Sequence, residues 1–97
     1  MKIEKTNLDG KLILKPLGRI DTTTAPELAE NIEYEGVTEI VFDLAEVDYI
    51  SSAGLRVFLA TQQKMEAANG KMILKNAKQI VLDIFDIAGF TDFFTFE

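Results

Sequence analysis

The chain contains neither cysteine nor histidine. Without cysteine there is no disulfide scaffold, no thiol nucleophile and no thiolate metal site. Without histidine the commonest general base and metal ligand is missing. Basic residues are scarce as well: ten lysines and arginines face sixteen aspartates and glutamates, a formal net charge of −6. That balance argues against a nucleic-acid partner, which calls for a basic face, and against anionic membrane headgroups. Charged residues interrupt every apolar run well before membrane-spanning length, and Met1-Lys2-Ile3-Glu4-Lys5 does not read as a signal peptide. The expectation is a cytoplasmic protein. No Gly-x-x-x-x-Gly-Lys loop, dinucleotide fingerprint or Gly-x-Ser-x-Gly elbow is present, so the common nucleotide-binding and hydrolase signatures are absent too.

What remains is a chain of 97 residues, 47% hydrophobic and 27% charged, which suits one globular domain over 1–97. Met1 to Thr6 alternates weakly and reads as a strand. Asn7-Leu8-Asp9-Gly10 predicts a hairpin into an antiparallel second strand, Lys11 to Leu17, with a bulge or the end of regular pairing at Pro16. Thr24 and Glu27 form a capping-box pattern, with Pro26 in the first turn, for a helix running to about Tyr34 with Leu28 and Ile32 inward. Thr38 to Leu44 reads as the third strand and Ala45 to Ile50 as a loop. A long helix follows from Ser52 to about Ala68, its stripe Leu55, Phe58, Leu59, Gln62 and Met65 at helical spacing. Lys71 to Lys75 is a fourth strand. Asn76 with Gln79 looks like another capping pair, for a helix with Ile80, Val81, Ile84, Phe85 and Ala88 inward and Gly89 at its end. The four phenylalanines from Phe90 to Glu97 read as a lid on the core, with an exposed subset forming a contact patch as the alternative.

Strand–helix–strand–helix–strand order demands parallel pairing with right-handed crossovers. The alternation in the third and fourth strands leaves their second face without helices, because a sheet buried on both sides reads as continuous hydrophobics. The predicted fold class is therefore α/β, with a mixed sheet of about four strands that begins as an antiparallel hairpin and helices mostly on one face. Functional groups of parallel sheets gather beyond the strands' C-terminal ends. Asp21, Asp43, Asp48, Ser51 and Ser52 all map to that edge.

Ser52 stands where a side chain caps a helix, with its oxygen toward unpartnered amides. The same amides and the helix dipole favour a phosphate. The first helix carries Glu27 at its third position, whereas the long helix carries Leu55 there, behind Ala53 and Gly54, so no acidic side chain claims its amides. Cap and phosphoacceptor are both open readings of Ser52. An enzyme is disfavoured, since serine lacks an activating base. Asp43, Glu46 and Asp48 read as solvated loop acids rather than magnesium ligands, so no metal or other cofactor is expected.

Ile50-Ser51-Ser52-Ala53-Gly54-Leu55-Arg56, following a strand that ends in aspartate, resembles the signature of STAS-domain anti-sigma factor antagonists. Gly18-Arg19-Ile20-Asp21 is similar to that family's second-strand exit, and Ile84-Phe85-Asp86-Ile87-Ala88-Gly89-Phe90 to its ending. The resemblance spans essentially the whole chain and implies the family's right-handed superhelix of strand–helix units. It implies a partner-switching cycle. The unmodified protein binds an anti-sigma factor that is also a serine kinase and so frees the sigma factor. Phosphorylation breaks the complex, and a PP2C-type phosphatase restores it. By position the acceptor is Ser52, with Ser51 the weaker candidate, and Asp21, Thr22, Asp48, Ser51, Ser52, Ala53, Gly54 and Arg56 make the partner-binding surface. The chain departs from many relatives in having Ser51 where they carry aspartate and Ala53 where they often carry serine. A constitutive STAS scaffold in a transport or signalling assembly, with both serines structural, is the alternative.

Overall fold

The computed structural model describes residues 1–97. Asp9 and Gly10 take φ of 51° and 90°, the left-handed pair that a two-residue type I′ connection requires. They join β1 (Lys2–Leu8) to β2 (Lys11–Ile20) as antiparallel neighbours, with Leu8 opposite Lys11 and Lys2 opposite Leu17.

β2 runs three residues past its expected end because it has two parallel partners in succession. Lys11 to Leu14 pair with β3 (Glu39–Asp43), and Gly18 to Ile20 pair with β4 (Val47–Ile50). Pro16 falls between the two pairings, where its missing N–H is not required, and keeps its place opposite Ile3 in the β1 ladder. The expected irregularity lies two residues later, between Gly18 and Arg19, with Gly18 at φ 97°.

β4 corrects the expected loop over 45–50. It is four residues long and alternates only weakly, but Val47 and Ile50 are both buried. With β5 (Lys71–Lys75) parallel to β3, the sheet has five strands rather than about four, ordered β1-β2-β3-β5 with β4 on the far half of β2.

The helices α1 (Ala25–Glu30), α2 (Ser52–Ala67) and α3 (Gln79–Ile87) supply one wall of a single core. Leu12, Leu14, Ile40, Phe42, Met72 and Leu74 point into it, against Leu28, Phe58, Met65 and Phe85. The alternate residues Ile13, Val41 and Ile73 line up in register on the other face, outside that core. Lys11, Glu39, Lys71 and Lys75 flank them there, their stems covering the apolar row. The second face thus carries no helix, as the alternation implied.

Local capping differs from expectation in two places. Thr24 does not cap α1: its Oγ1 donates to the Arg19 carbonyl at 2.7 Å and accepts the Asp21 N–H at 2.8 Å. Asp21 instead closes the turn before α1, its Oδ1 accepting the Thr23 and Thr24 amides at 3.0 Å each. Glu27 pairs with the amine of Met1, so no Thr24–Glu27 box forms. α1 stops at Glu30, four residues short of Tyr34, where the Asn31 side chain bonds the Glu27 carbonyl; Ile32 beyond it is still buried. At α3 the Asn76–Gln79 pair is likewise absent. Asn76, at φ 60°, donates to Asp43, Gln79 donates to Asp83, and the cap position falls to Lys78 without a side-chain bond.

Helix faces follow the spacing with exceptions. Leu55, Phe58 and Met65 are buried on α2, Leu59 and Gln62 half so. Thr61, absent from the expected stripe, is also buried and bonds its hydroxyl to the Val57 carbonyl at 2.8 Å. On α3 only Val81 and Phe85 are fully inward, while Ile80 and Ala88 are exposed. This helix packs chiefly on the short β4 and buries a narrow stripe.

Phe94 of the tail closes the core, with Phe90 and Phe96 half-buried against it and Phe93 exposed. Phe85 meets Phe58 at 6.0 Å and both Phe94 and Phe96 at 5.3 Å, the last two edge to face. Backbone bonds tie the tail to β5: Leu74 donates to Thr95, and Glu97 donates to Leu74, each at 2.9 Å.

Two outcomes follow. Phe94→Ala opens a cavity against Phe85 and lowers stability by about 3–5 kcal/mol in chemical or thermal unfolding, with the fold retained. The Asp21 carboxyl is held below its ordinary range chiefly by the Thr24 amide, against a smaller desolvation effect. Because its folded pKa is depressed, its support of the turn is complete above the unfolded value and is lost as pH falls through the folded one. A carboxyl NMR titration should find Asp21 ionised below the midpoint of an ordinary aspartate, with the Thr23 and Thr24 amide shifts following it.

Candidate functional site

β2 and β4 end side by side, Ile20 opposite Ile50, and the Ser51 N–H donates to the Ile20 carbonyl at 2.8 Å. The chain turns there directly into α2. Ser51 is extended, at φ −85° and ψ 175°, and its Oγ accepts the Gly54 N–H at 3.4 Å. Ser51 is therefore the cap, and the expected Ser52 cap is corrected by one residue. The cause is the last strand bond, which fixes residue 51 in extended conformation and makes residue 52 the first helical one.

Ser52 is exposed and its hydroxyl has no protein partner. The Ser52 and Ala53 amides have none either, whereas the Leu55 amide closes the first turn on the Ser51 carbonyl at 2.9 Å. Ser51 thus caps, and Ser52 stands free at the positive end of the helix.

Gly54 brings this turn so close to the sheet. A Cβ there would lie 2.8 Å from a methyl of Ile20 and of Ile50, and 3.0 Å from the Ile20 carbonyl oxygen. Gly54, one of the expected partner-binding residues, is buried, and what the structure shows of it is this close packing. Ala53 is half-buried, and Arg56 is exposed one turn after Ser52.

Asp21 follows Ile20 and so stands beside the Ser51–Ser52 turn. Its carboxylate is ionised within its own turn, with the Arg19 guanidinium 3.9 Å away, and Thr22 is exposed next to it. Arg19 in turn stacks over the Tyr49 ring at 4.4 Å. These two residues are a register pair of β2 and β4, a neighbourhood that the four weakly alternating residues of β4 do not signal in the sequence.

The five residues expected at one edge do not all gather. Asp43 turns to the Ala45 amide and Asn76, and Asp48 pairs with Lys78 at 2.6 Å, which raises the lysine pKa through that bond. Asp43, Glu46 and Asp48 do not converge, and no three acidic side chains in the molecule do. The candidate site is accordingly Asp21, Ser51 and Ser52, with Thr22, Ala53 and Arg56 next to them in the chain; Asp48, also expected to bind a partner, is exposed on β4 beside Lys78. The site is an open surface: none of the grooves includes Ser52. No helix is long and apolar enough to cross a membrane.

Comparison with known proteins agrees with this geometry. The family model described as STAS domain matches residues 2–97. A Bordetella bronchiseptica protein named "Putative anti-sigma factor antagonist BtrV" is 34% identical over 97 residues, covering 97% of this chain and 84% of its own. The anti-sigma-B factor antagonist of Bacillus subtilis is 32% identical over 77 residues, covering 77% of this chain and 71% of its own. Among solved structures, the anti-sigma factor antagonist SpoIIAA in its unphosphorylated form superposes with a TM-score of 0.84 at 18% identity, covering 99% of this chain and 88% of that one. The family resemblance read from the sequence is thereby borne out, and the chain belongs to the STAS domain family, alongside proteins named as anti-sigma factor antagonists.

Proposed function

We propose that this chain is an anti-sigma factor antagonist that works by partner switching, with Ser52 as its phosphoacceptor. The unmodified protein binds an anti-sigma factor that is also a serine kinase and releases the sigma factor. Phosphorylation of Ser52 ends that complex, and a PP2C-type phosphatase resets it. The chain acts by binding rather than by catalysis, and it acts in the cytoplasm. The names of its relatives support the antagonist role.

One observation carries the choice of Ser52: its hydroxyl is exposed and unbonded beside two unpartnered amides, while Ser51 does the capping. A phosphate adds about −1.5 to −2 charges at the helix end that favours them, so modification leaves the fold intact. The same charge arrives beside ionised Asp21 on a surface that a partner must cover. Like charges and a desolvated phosphate oppose docking, and the switch acts on binding rather than on folding.

Incubation with the cognate kinase and ATP should place one phosphate on Ser52, mapped by mass spectrometry. Ser52→Ala should keep kinase affinity and Ser52→Asp should lose about tenfold or more, with unchanged thermal unfolding in both. Equal affinity of the two variants would exclude the switch. Ser51→Ala should cost about 1 kcal/mol of stability through the lost cap and still be phosphorylated on Ser52.

A further inference from the structure

A groove of about 240 Å³ runs between α1 and α2, along the helix that Ser52 begins. Its floor is apolar: Ala29 of α1, Ile32 just beyond it, and Val57 and Ala60 of α2. Arg56 and Lys64 stand on its rim, and no carboxylate lines it. That is a local reversal of sign in a chain whose net charge is −6. Neither cation belongs to an ion pair; the pairs in the molecule use the Met1 amine, Lys5, Lys11, Arg19 and Lys78. The Lys64 ammonium rests 4.6 Å over the Tyr34 ring, which holds it at the groove rather than away from it.

A surface with an apolar floor and two unmatched cations has a defined complement. We propose that the groove receives an acidic, apolar segment of the anti-sigma partner. Its carboxylates pair with Arg56 and Lys64, and an aliphatic or aromatic side chain covers Ala29, Ile32, Val57 and Ala60. This deepens the antagonist reading and rests on it. The groove also adjoins the switch. Arg56 is four residues after Ser52, so the two share a helix face, and helical side chains lean toward the N-terminus. A phosphate on Ser52 therefore competes with the partner's carboxylate for the Arg56 guanidinium, a preferred phosphate ligand. Phosphorylation then removes a partner contact as well as adding repulsion beside Asp21.

The test is calorimetric titration of the unphosphorylated chain with the kinase that modifies it. Arg56→Glu and Lys64→Glu should each weaken binding by about tenfold or more, while Lys75→Glu on the opposite sheet face should not. All three side chains are exposed, and matching unfolding curves verify that the variants are folded. Equal affinity of wild type and both groove reversals overturns the groove alone, whereas no binding by the wild type overturns the antagonist reading with it. Self-association of the free chain that both reversals abolish would assign the groove to a second copy and also overturn the proposal. In phosphorus NMR, the phosphate on Ser52 should titrate at lower pH in the wild type than in Arg56→Ala; coincident titrations overturn the link to the switch.

Discussion

The arrangement depends on how closely the first turn of α2 approaches the ends of β2 and β4. There is no space for a side chain at Gly54, where a Cβ would press on both isoleucine methyls and on a strand carbonyl. Because that contact is bare backbone, the Ser51 amide still reaches the Ile20 carbonyl and its hydroxyl still reaches the Gly54 amide. Ser52 is then carried outward by the helix geometry itself. A bulkier residue in that turn would lift the helix start and break the register between strand end and cap. The exposed hydroxyl is thus a consequence of dense packing one layer below it.

Two helix starts meet at this edge, and their electrostatics differ. At α1 the two amides just before the helix, those of Thr23 and Thr24, are taken by the carboxylate of Asp21. At α2 a neutral hydroxyl takes one amide and leaves two free. The turn before α1 already carries a bonded carboxylate, whereas the start of α2 carries none. Their adjacency gives the surface its sensitivity, since any anion gained at α2 is felt beside one that is permanently present at α1.

Away from the site, the chain invests in rigidity. Four aromatic rings link β3, α2, α3 and the tail in a continuous chain of contacts from Phe42 through Phe58 and Phe85 to Phe94. The tail then returns to β5 through backbone bonds. A helix whose N-terminus must hold a fixed geometry is supported along its length by this core. The opposite sheet face, with its row of Ile13, Val41 and Ile73 under charged stems, carries no such demand.

The sequence by itself determined everything governed by neighbours within a few residues. Asp9-Gly10 specified the hairpin, the spacing of Leu55, Phe58 and Met65 specified the long helix, and alternation in β3 and β5 specified a sheet with one bare face. The loop–helix junction at the two serines was legible for the same reason. Tertiary structure alone decided what local rules leave degenerate. β4 forms because β2 outlasts β3 and offers it an edge, although four weakly alternating residues specify no strand. Glu27 went to the Met1 amine and Asn76 to Asp43, since partners distant in sequence outcompeted the local caps. Which serine caps was settled by one bond across the sheet, from Ser51 to Ile20, and a pairing between residues thirty-one apart has no signature in local spacing.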